Sequence, residues 1–235
     1  MELVTERLIL REFRHEDWPE VLAYQVDPRY LRYYDWSGRT PEEVQAFVRM
    51  FLEQQQERPR CKFQLAVTLR STGQLIGTCG IRLEAADAHE GDVGYELSHE
   101  HWGRGYATEA AQAIMRFGFE ELRLHRIWSW CAADNVASAR VLVKVGVRLE
   151  GRLWLEGRLR DKEHYKGRWW DRLLYGLLED EWRARVPTPS SIACGKCWGL
   201  CRTTPTSTAS ALCRSRIPRA SGLPSTPTSS GWNGI

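Results

Sequence analysis

The sequence predicts an α+β fold, a strand-rich mixed sheet with helices on its faces. Three observations carry this. Apolar runs of strand length recur between residues 5 and 178. Segments with helical period are fewer and do not alternate regularly with the strands, which argues against repeated βαβ units. Residues 63–69 and 75–83 flank Ser71-Thr72-Gly73, a short glycine-containing link that pairs its neighbours as an antiparallel hairpin.

Taken in order, residues 5–13 give a first strand through Leu8, Leu10 and Phe13. Asp17, Trp18, Val21, Leu22 and Tyr24 give a short helix ending near Asp27-Pro28. An aromatic stretch follows, with Tyr30, Tyr33, Tyr34 and Trp36. Thr40-Pro41-Glu42-Glu43 is a helix start: Thr at the cap, Pro at the first helical position, Glu three residues after the cap. Val44, Phe47, Val48, Phe51 and Leu52 continue it at helical spacing. After the hairpin, residues 92–97 form a strand and residues 107–122 a long amphipathic helix. Residues 126–131 form the next strand. Asp134-Asn135 opens a helix over 136–145, closed by Gly146. Residues 147–153 and 169–178 are the last two strands.

Composition bounds the function. A chain of 235 residues with 43% hydrophobic residues builds one domain and an appendage. No apolar run approaches a membrane span, and the N-terminus lacks a signal pattern, so a cytoplasmic protein is expected. Seven cysteines in no pairing pattern fit a reducing compartment. The net charge of +3 conceals an asymmetry: residues 187–235 contain five Lys or Arg and no acid, leaving the rest at −2. The globular part is therefore not a nucleic-acid binder by charge. In that tail 22 of 49 residues are Ser, Thr or Pro. Such a composition cannot offset chain entropy by burial, so a disordered basic tail is expected after a domain of residues 1–186. The Cys194-x-x-Cys197-x-x-x-Cys201 spacing, with Cys213, fits no common zinc finger, and no metal is expected. An out-of-frame extension accounts for the tail equally well.

The chemistry centres on residues 96–110, where a strand passes through a Gly-x-Gly loop into a helix. The first N–H groups of a helix lack internal acceptors and carry partial positive charge, and glycine lets backbone approach a phosphate closely. The loop is neither a dinucleotide fingerprint nor a P-loop, because the third glycine and the Gly-Lys-Ser/Thr are missing. Trp102-Gly103-Arg104-Gly105-Tyr106-Ala107 resembles the pyrophosphate loop of the GCN5-related N-acetyltransferase (GNAT) superfamily, Gln/Arg-x-x-Gly-x-Gly/Ala, with Trp102 standing where Gln or Arg is usual. With Thr108-Glu109-Ala110 it is similar to the branch of ribosomal-protein N-terminal (RimJ/RimL-type) acetyltransferases. A second stretch, Asn135 to Leu142 followed by Gly146 and Glu150-Gly151, resembles that family's Asn-x-x-Ser helix and the glycine before its sixth strand, although Val147 replaces the usual aromatic. The resemblance covers roughly residues 5–183 and implies a mostly antiparallel sheet, acetyl-CoA as co-substrate and an amine acceptor.

It also implies site residues. The backbone of Leu97, Gly103, Arg104, Gly105, Tyr106, Ala107 and Thr108, with Trp102 and Asn135, would hold coenzyme A. The thioester would lie between splayed strands 92–97 and 126–131, its carbonyl held by a backbone N–H of the former. Glu96, at the end of the central strand beside the loop, is the candidate general base, with a solvated strand-end carboxylate as the alternative. Ser138, at the family's Asn-x-x-Ser position, is the candidate donor to the leaving sulfur, with first-turn hydrogen bonding as the alternative. Asn135 caps its helix, touches the pantetheine arm, or both. The aromatics at 30–36 line either the acceptor site or the core, and Trp169 and Trp170 share that ambiguity. The expected function is acetyl transfer to a protein N-terminus or a small amine; the alternative is an inactive coenzyme A sensor, and a third reading is nucleic-acid contact through the tail. Monomer and homodimer both remain open.

Overall fold

The computed structural model describes residues 1–150 and 158–185. The predicted strand beyond Glu150, the tail and its cysteines lie outside the described residues. A nine-stranded sheet runs in the order β1-β2-β3-β4-β5-β6-β9-β7, with β8 paired to β9. Its strands are β1 (Glu2–Val4), β2 (Leu8–Glu12), β3 (Lys62–Leu69), β4 (Leu75–Arg82), β5 (Glu90–Leu97), β6 (Arg126–Ala132), β7 (Arg148–Leu149), β8 (Arg158–Tyr165) and β9 (Arg168–Leu178). The helices are α1 (Trp18–Gln25), α2 (Pro28–Leu31), α3 (Pro41–Gln56), α4 (Tyr106–Glu120), α5 (Val136–Val145) and α6 (Glu179–Arg183). No helix among the described residues is long and apolar enough to cross a membrane.

The architecture is the expected α+β sheet, and among the described residues all pairings are antiparallel except β5 with β6. The hairpin at Gly73 forms as predicted, with Leu75 returning to Thr68. The first strand departs from expectation. Residues 5–7 turn, with the Thr5 N–H bonded to the Leu8 carbonyl at 2.9 Å, so one run becomes β1 and β2. Strand β8 went unread because Arg158, Arg160, Asp161, Lys162 and Glu163 leave no alternating apolar face.

The sheet divides two cores. Because strand side chains alternate, Leu65 and Val67 of β3 join the core beneath α4 and α5. Ala66, between them, joins the core beneath α1, α2 and α3. Helix α3 begins on the predicted capping box: Thr40 Oγ1 accepts from the Glu43 N–H at 3.3 Å, and Glu43 accepts from the Thr40 N–H at 2.8 Å.

Candidate active site

The parallel pair β5–β6 is short. Its register runs Glu90↔Arg126, Gly91↔Ile127, Asp92↔Trp128 and stops there, although both strands continue. The strands therefore splay beyond Asp92. The backbone alternation shows which groups line the gap. The His89 carbonyl faces β6, accepting from the His125 and Arg126 N–H groups. The Ser98 N–H faces β4, donating to the Ile76 carbonyl at 2.7 Å. Odd-numbered positions of β5 consequently turn their backbone toward the β6 side, which places the N–H groups of Val93, Tyr95 and Leu97 along the gap. The Leu97 carbonyl on this edge accepts from the Trp102 indole at 2.8 Å. Trp102 thus ties the glycine loop to the end of β5.

From this end the chain enters the loop. Gly103 has φ +73° and Gly105 φ +83°, left-handed angles that side chains other than glycine rarely adopt. Gly105 is the N-cap of α4 and supplies no side-chain cap. Helices α3 and α5, by contrast, are capped by Thr40 and Asn135. The first N–H groups of α4, at Tyr106, Ala107 and Thr108, thus have neither an intrahelical acceptor nor a capping side chain, in a loop whose glycines are exposed. That is the donor set a pyrophosphate requires.

A strap missed in the sequence holds this loop. Glu109, in the first turn of α4, accepts from Thr5 Oγ1 at 2.6 Å, from the Arg7 N–H at 2.8 Å and from Arg7 Nε at 2.7 Å. Arg7 Nη1 donates to the Arg104 carbonyl at 3.0 Å, and its guanidinium covers the Tyr106 ring at 4.7 Å. Burial works against the charged Glu109, but these partners outweigh it and hold the carboxyl below its ordinary range. The pairing also neutralises an acid that would otherwise oppose an anion at the helix start. The Arg104 side chain is exposed and takes no part in the strap.

Glu96 is not a solvated strand-end carboxylate. It is 1% exposed. Alternation turns it to the opposite face from Tyr95, into the aromatic cluster under α1–α3. Tyr30 and Tyr34 both donate to its Oε2, Tyr34 at 2.9 Å. Its Oε1 is buried with no partner among the described residues. Burial pushes the Glu96 carboxyl up; the hydrogen bonds from Tyr30 and Tyr34, and then the charges of Arg39 and Arg82, act against that rise. The same cluster contains further buried polar atoms without a partner among the described residues: Tyr24 Oη, Gln25 Nε2 and Trp36 Nε1.

Ser138 lies on the other face. It is fully buried, and its hydroxyl pairs with Tyr95 Oη at 2.9 Å. It also lies against Cys131 of β6, a thiol that burial pushes up to about 12 despite the Ser138 hydrogen bond. Ser138 therefore reaches both strands of the gap from the α5 side. Its backbone N–H is capped by Asn135 Oδ1 at 3.1 Å, so Asn135 performs the capping role. The turn between β8 and β9 closes one end of the aromatic cluster. Tyr165 donates to the Tyr33 carbonyl at 3.0 Å, Lys166 Nζ to the Leu31 carbonyl at 2.5 Å, and Arg168 pairs with Asp134 at 2.9 Å. Trp170 packs into this corner, stacked on Tyr165 at 4.9 Å, whereas Trp169 is exposed.

A parallel pair that parts beyond Asp92, next to a helix start with no capping side chain, offers backbone N–H donors both to a carbonyl in the gap and to a phosphate at the loop. The family description "acetyltransferase (GNAT) domain" matches residues 7–148, and the chain belongs to that family. It is 35% identical to the uncharacterized N-acetyltransferase YnaD of Bacillus subtilis over 77% of this chain and 99% of that one. A putative ribosomal N-acetyltransferase of the same organism, YdaF, is 31% identical over 47% of this chain and 57% of its own length. A GNAT-family acetyltransferase from Bacillus anthracis superposes with a TM-score of 0.66 at 29% identity, covering 77% of this chain and 99% of that structure. The protein is an acetyl-CoA-dependent acyltransferase. The local geometry fits that co-substrate: a Cβ built on Gly103 would meet nothing within 4 Å, so the loop is open where a phosphate would approach.

Proposed function

We propose that the enzyme moves the acetyl group of acetyl-CoA to a primary amine, with Glu96 as the general base. The observation that carries this reading is the Glu96 carboxylate, buried beside the splay with one oxygen fixed by two phenols and the other unpartnered among the described residues. Acetyl-CoA supplies the activated thioester. The Leu97 N–H is the donor for the acetyl oxygen as it gains charge, a type of contact worth about 10²–10³ in rate. The amine nitrogen bonds to the carbonyl carbon, its proton passes to Glu96 directly or through water, and the carbon–sulfur bond breaks. The thiolate is reprotonated on the α5 side, where Ser138 is the proposed donor. The loop Trp102 to Thr108 holds the pyrophosphate, and Asn135 keeps Ser138 in register. An unperturbed α-amino group has a pKa of about 7.7–8.0, so a base of modest strength suffices.

The acceptor is a protein N-terminus or a small amine. Trp36 Nε1, buried with no partner among the described residues, supports an acceptor that carries a hydrogen-bond acceptor near its amine, since buried polar groups normally find partners. The partial likeness to a putative ribosomal acetyltransferase supports including ribosomal N-terminal peptides among the acceptors. A thiol-release assay against such peptides, polyamines, amino acids and aminoglycosides tests the reading. Turnover on one of these classes is expected. Tight acetyl-CoA binding with no turnover on any of them would point to a sensor instead.

Two further results follow. Ser138→Ala is expected to slow thiol release by a modest factor, less than the full contribution of about 10²–10⁴-fold of a positioned acid, because water can replace the donor. A greater loss of acetyl-CoA affinity than of turnover would reassign Ser138 to binding. Truncation after Arg185 leaves acetyl-CoA binding intact and shifts the melting temperature by less than about 2 °C, if the Ser/Thr/Pro-rich tail is dispensable to a domain of residues 1–186. A large drop in calorimetry would show that the tail packs on the domain. The proposed setting is the cytoplasm.

A further inference from the structure

The buried aromatic residues of α2 and of the segment that follows it do more than fill a core. Tyr30, at the end of the first α2 turn, and Tyr34, just after that helix, are each almost fully buried. Their rings stack at 4.6 Å, Tyr24 abuts Tyr30 edge-on at 5.3 Å, and Trp36 lies against Tyr34 at 4.2 Å. This packing fixes both hydroxyls, and both donate to the same carboxylate atom, Glu96 Oε2. Two rings of this size would fill the core equally well as phenylalanine. The hydroxyls are the part that packing does not explain.

We propose that Tyr30 and Tyr34 are positioning residues that clamp Oε2 of Glu96, keep the carboxylate ionised in a buried site, and reserve Oε1 for the proton of the acceptor amine. The inference rests on Glu96 being the base. Physically it answers a difficulty. A carboxylate buried without partners takes up a proton and is then no base near neutral pH. Hydrogen bonds to a charged group are stronger than those to a neutral one, and two of them on one carboxylate act against that burial. The groups facing Glu96 are Tyr24 from α1, Tyr30 from α2, Tyr34 after it, Arg39 before α3 and Arg82 from β4. Both cations are engaged elsewhere, Arg39 with Gln25 at 3.3 Å and Arg82 with Asp92 at 2.5 Å. The phenols are the groups that touch the carboxylate. Their own protonation suits them to this role. Burial, and then the charge of Glu96, drive both well above the ordinary phenol range, so they remain donors throughout the working pH.

The test is a titration of Glu96 itself. Protein labelled with carbon-13 at the Glu side-chain carboxyl is followed by NMR against pH, and Glu96→Gln identifies the resonance. Tyr34→Phe and, separately, Tyr30→Phe should each raise the midpoint by about one unit or more, because each removes a donor to the charged form. A melting temperature and circular dichroism close to wild type confirm that the ring still packs. Should one variant fail to fold, the other provides the measurement. A midpoint that stays put in a folded variant overturns the clamp, since a merely structural tyrosine would leave it unmoved. The base assignment is read separately, from the acid limb of turnover on whichever amine the acceptor panel yields. If the midpoint rises and the acid limb does not follow, the clamp stands and Glu96 is not the base.

Discussion

Glu96→Gln is expected to lower kcat/KM by about 10²–10³-fold near neutral pH, within the range that general-base catalysis supplies. The variant is isosteric and uncharged, so it relieves burial of a charge and should fold at least as stably as wild type. Acetyl-CoA affinity should stay near wild type, because the loop donors are backbone N–H groups beyond the strand end. The pH profile is the sharper readout. Burial holds the Glu96 carboxyl above its ordinary value, so wild-type activity is lost as pH falls through that raised value and is complete above it. Glutamine cannot titrate, and the variant's profile retains only the ionisation of the amine. The deficit is greatest at the acid end of the working range and narrows as neutral amine accumulates. A variant with the wild-type rate and the wild-type acid limb removes Glu96 from the mechanism.

Gly105→Val is expected to lower acetyl-CoA affinity by at least about a hundredfold, the loss of two amide-to-anion hydrogen bonds at about 1.5–3 kcal/mol each. Gly105 sits at φ +83° immediately before the first turn of α4. A β-branched residue is strongly disfavoured there, and the backbone must rotate away from the geometry that aims the helix N–H groups outward. A Cβ at this position would meet Arg7 Nη2 at 3.4 Å, an ordinary contact, so the left-handed backbone angle rather than crowding carries the effect. The apolar face of α4 is untouched, so circular dichroism should remain that of the wild type. Arg104→Ala is the comparator. Its side chain is exposed and screened, and Arg7 bonds only its carbonyl, so the loss should stay below about fivefold. Calorimetric titration of both variants with acetyl-CoA separates the contributions.

What the sequence revealed follows from where periodicity is strong. Helix α3 was legible from its capping box, α5 from Asn135 and Gly146, and α4 from its apolar stripe behind the glycines, because each signal is local. The splay of β5 from β6 was implied by the family resemblance alone; periodicity has no means of showing where two strands part. The environment of Glu96 was less legible. Its neighbours in sequence suggest a strand end near solvent, whereas its partners Tyr30 and Tyr34 arrive from more than sixty positions away. The aromatic stretch was visible as a cluster, but the direction of its hydroxyls depends on tertiary packing. The Thr5–Arg7–Glu109 strap escaped notice for the same reason, its ends being about a hundred residues apart. Strand β8, charged along its length, carries no apolar alternation to read.

Acetyl-CoA is expected to lie along the β5 side of the splay with its pyrophosphate on the uncapped start of α4. Titrating nitrogen-15-labelled protein with acetyl-CoA and following the backbone amides tests this directly. The largest shifts should fall on Tyr95 and Leu97 in β5 and on the run from Gly103 to Thr108, while the capped starts of α3 and α5 move little. Saturable binding that leaves the Gly103 to Thr108 and Leu97 amides unmoved would place the cofactor elsewhere on the protein.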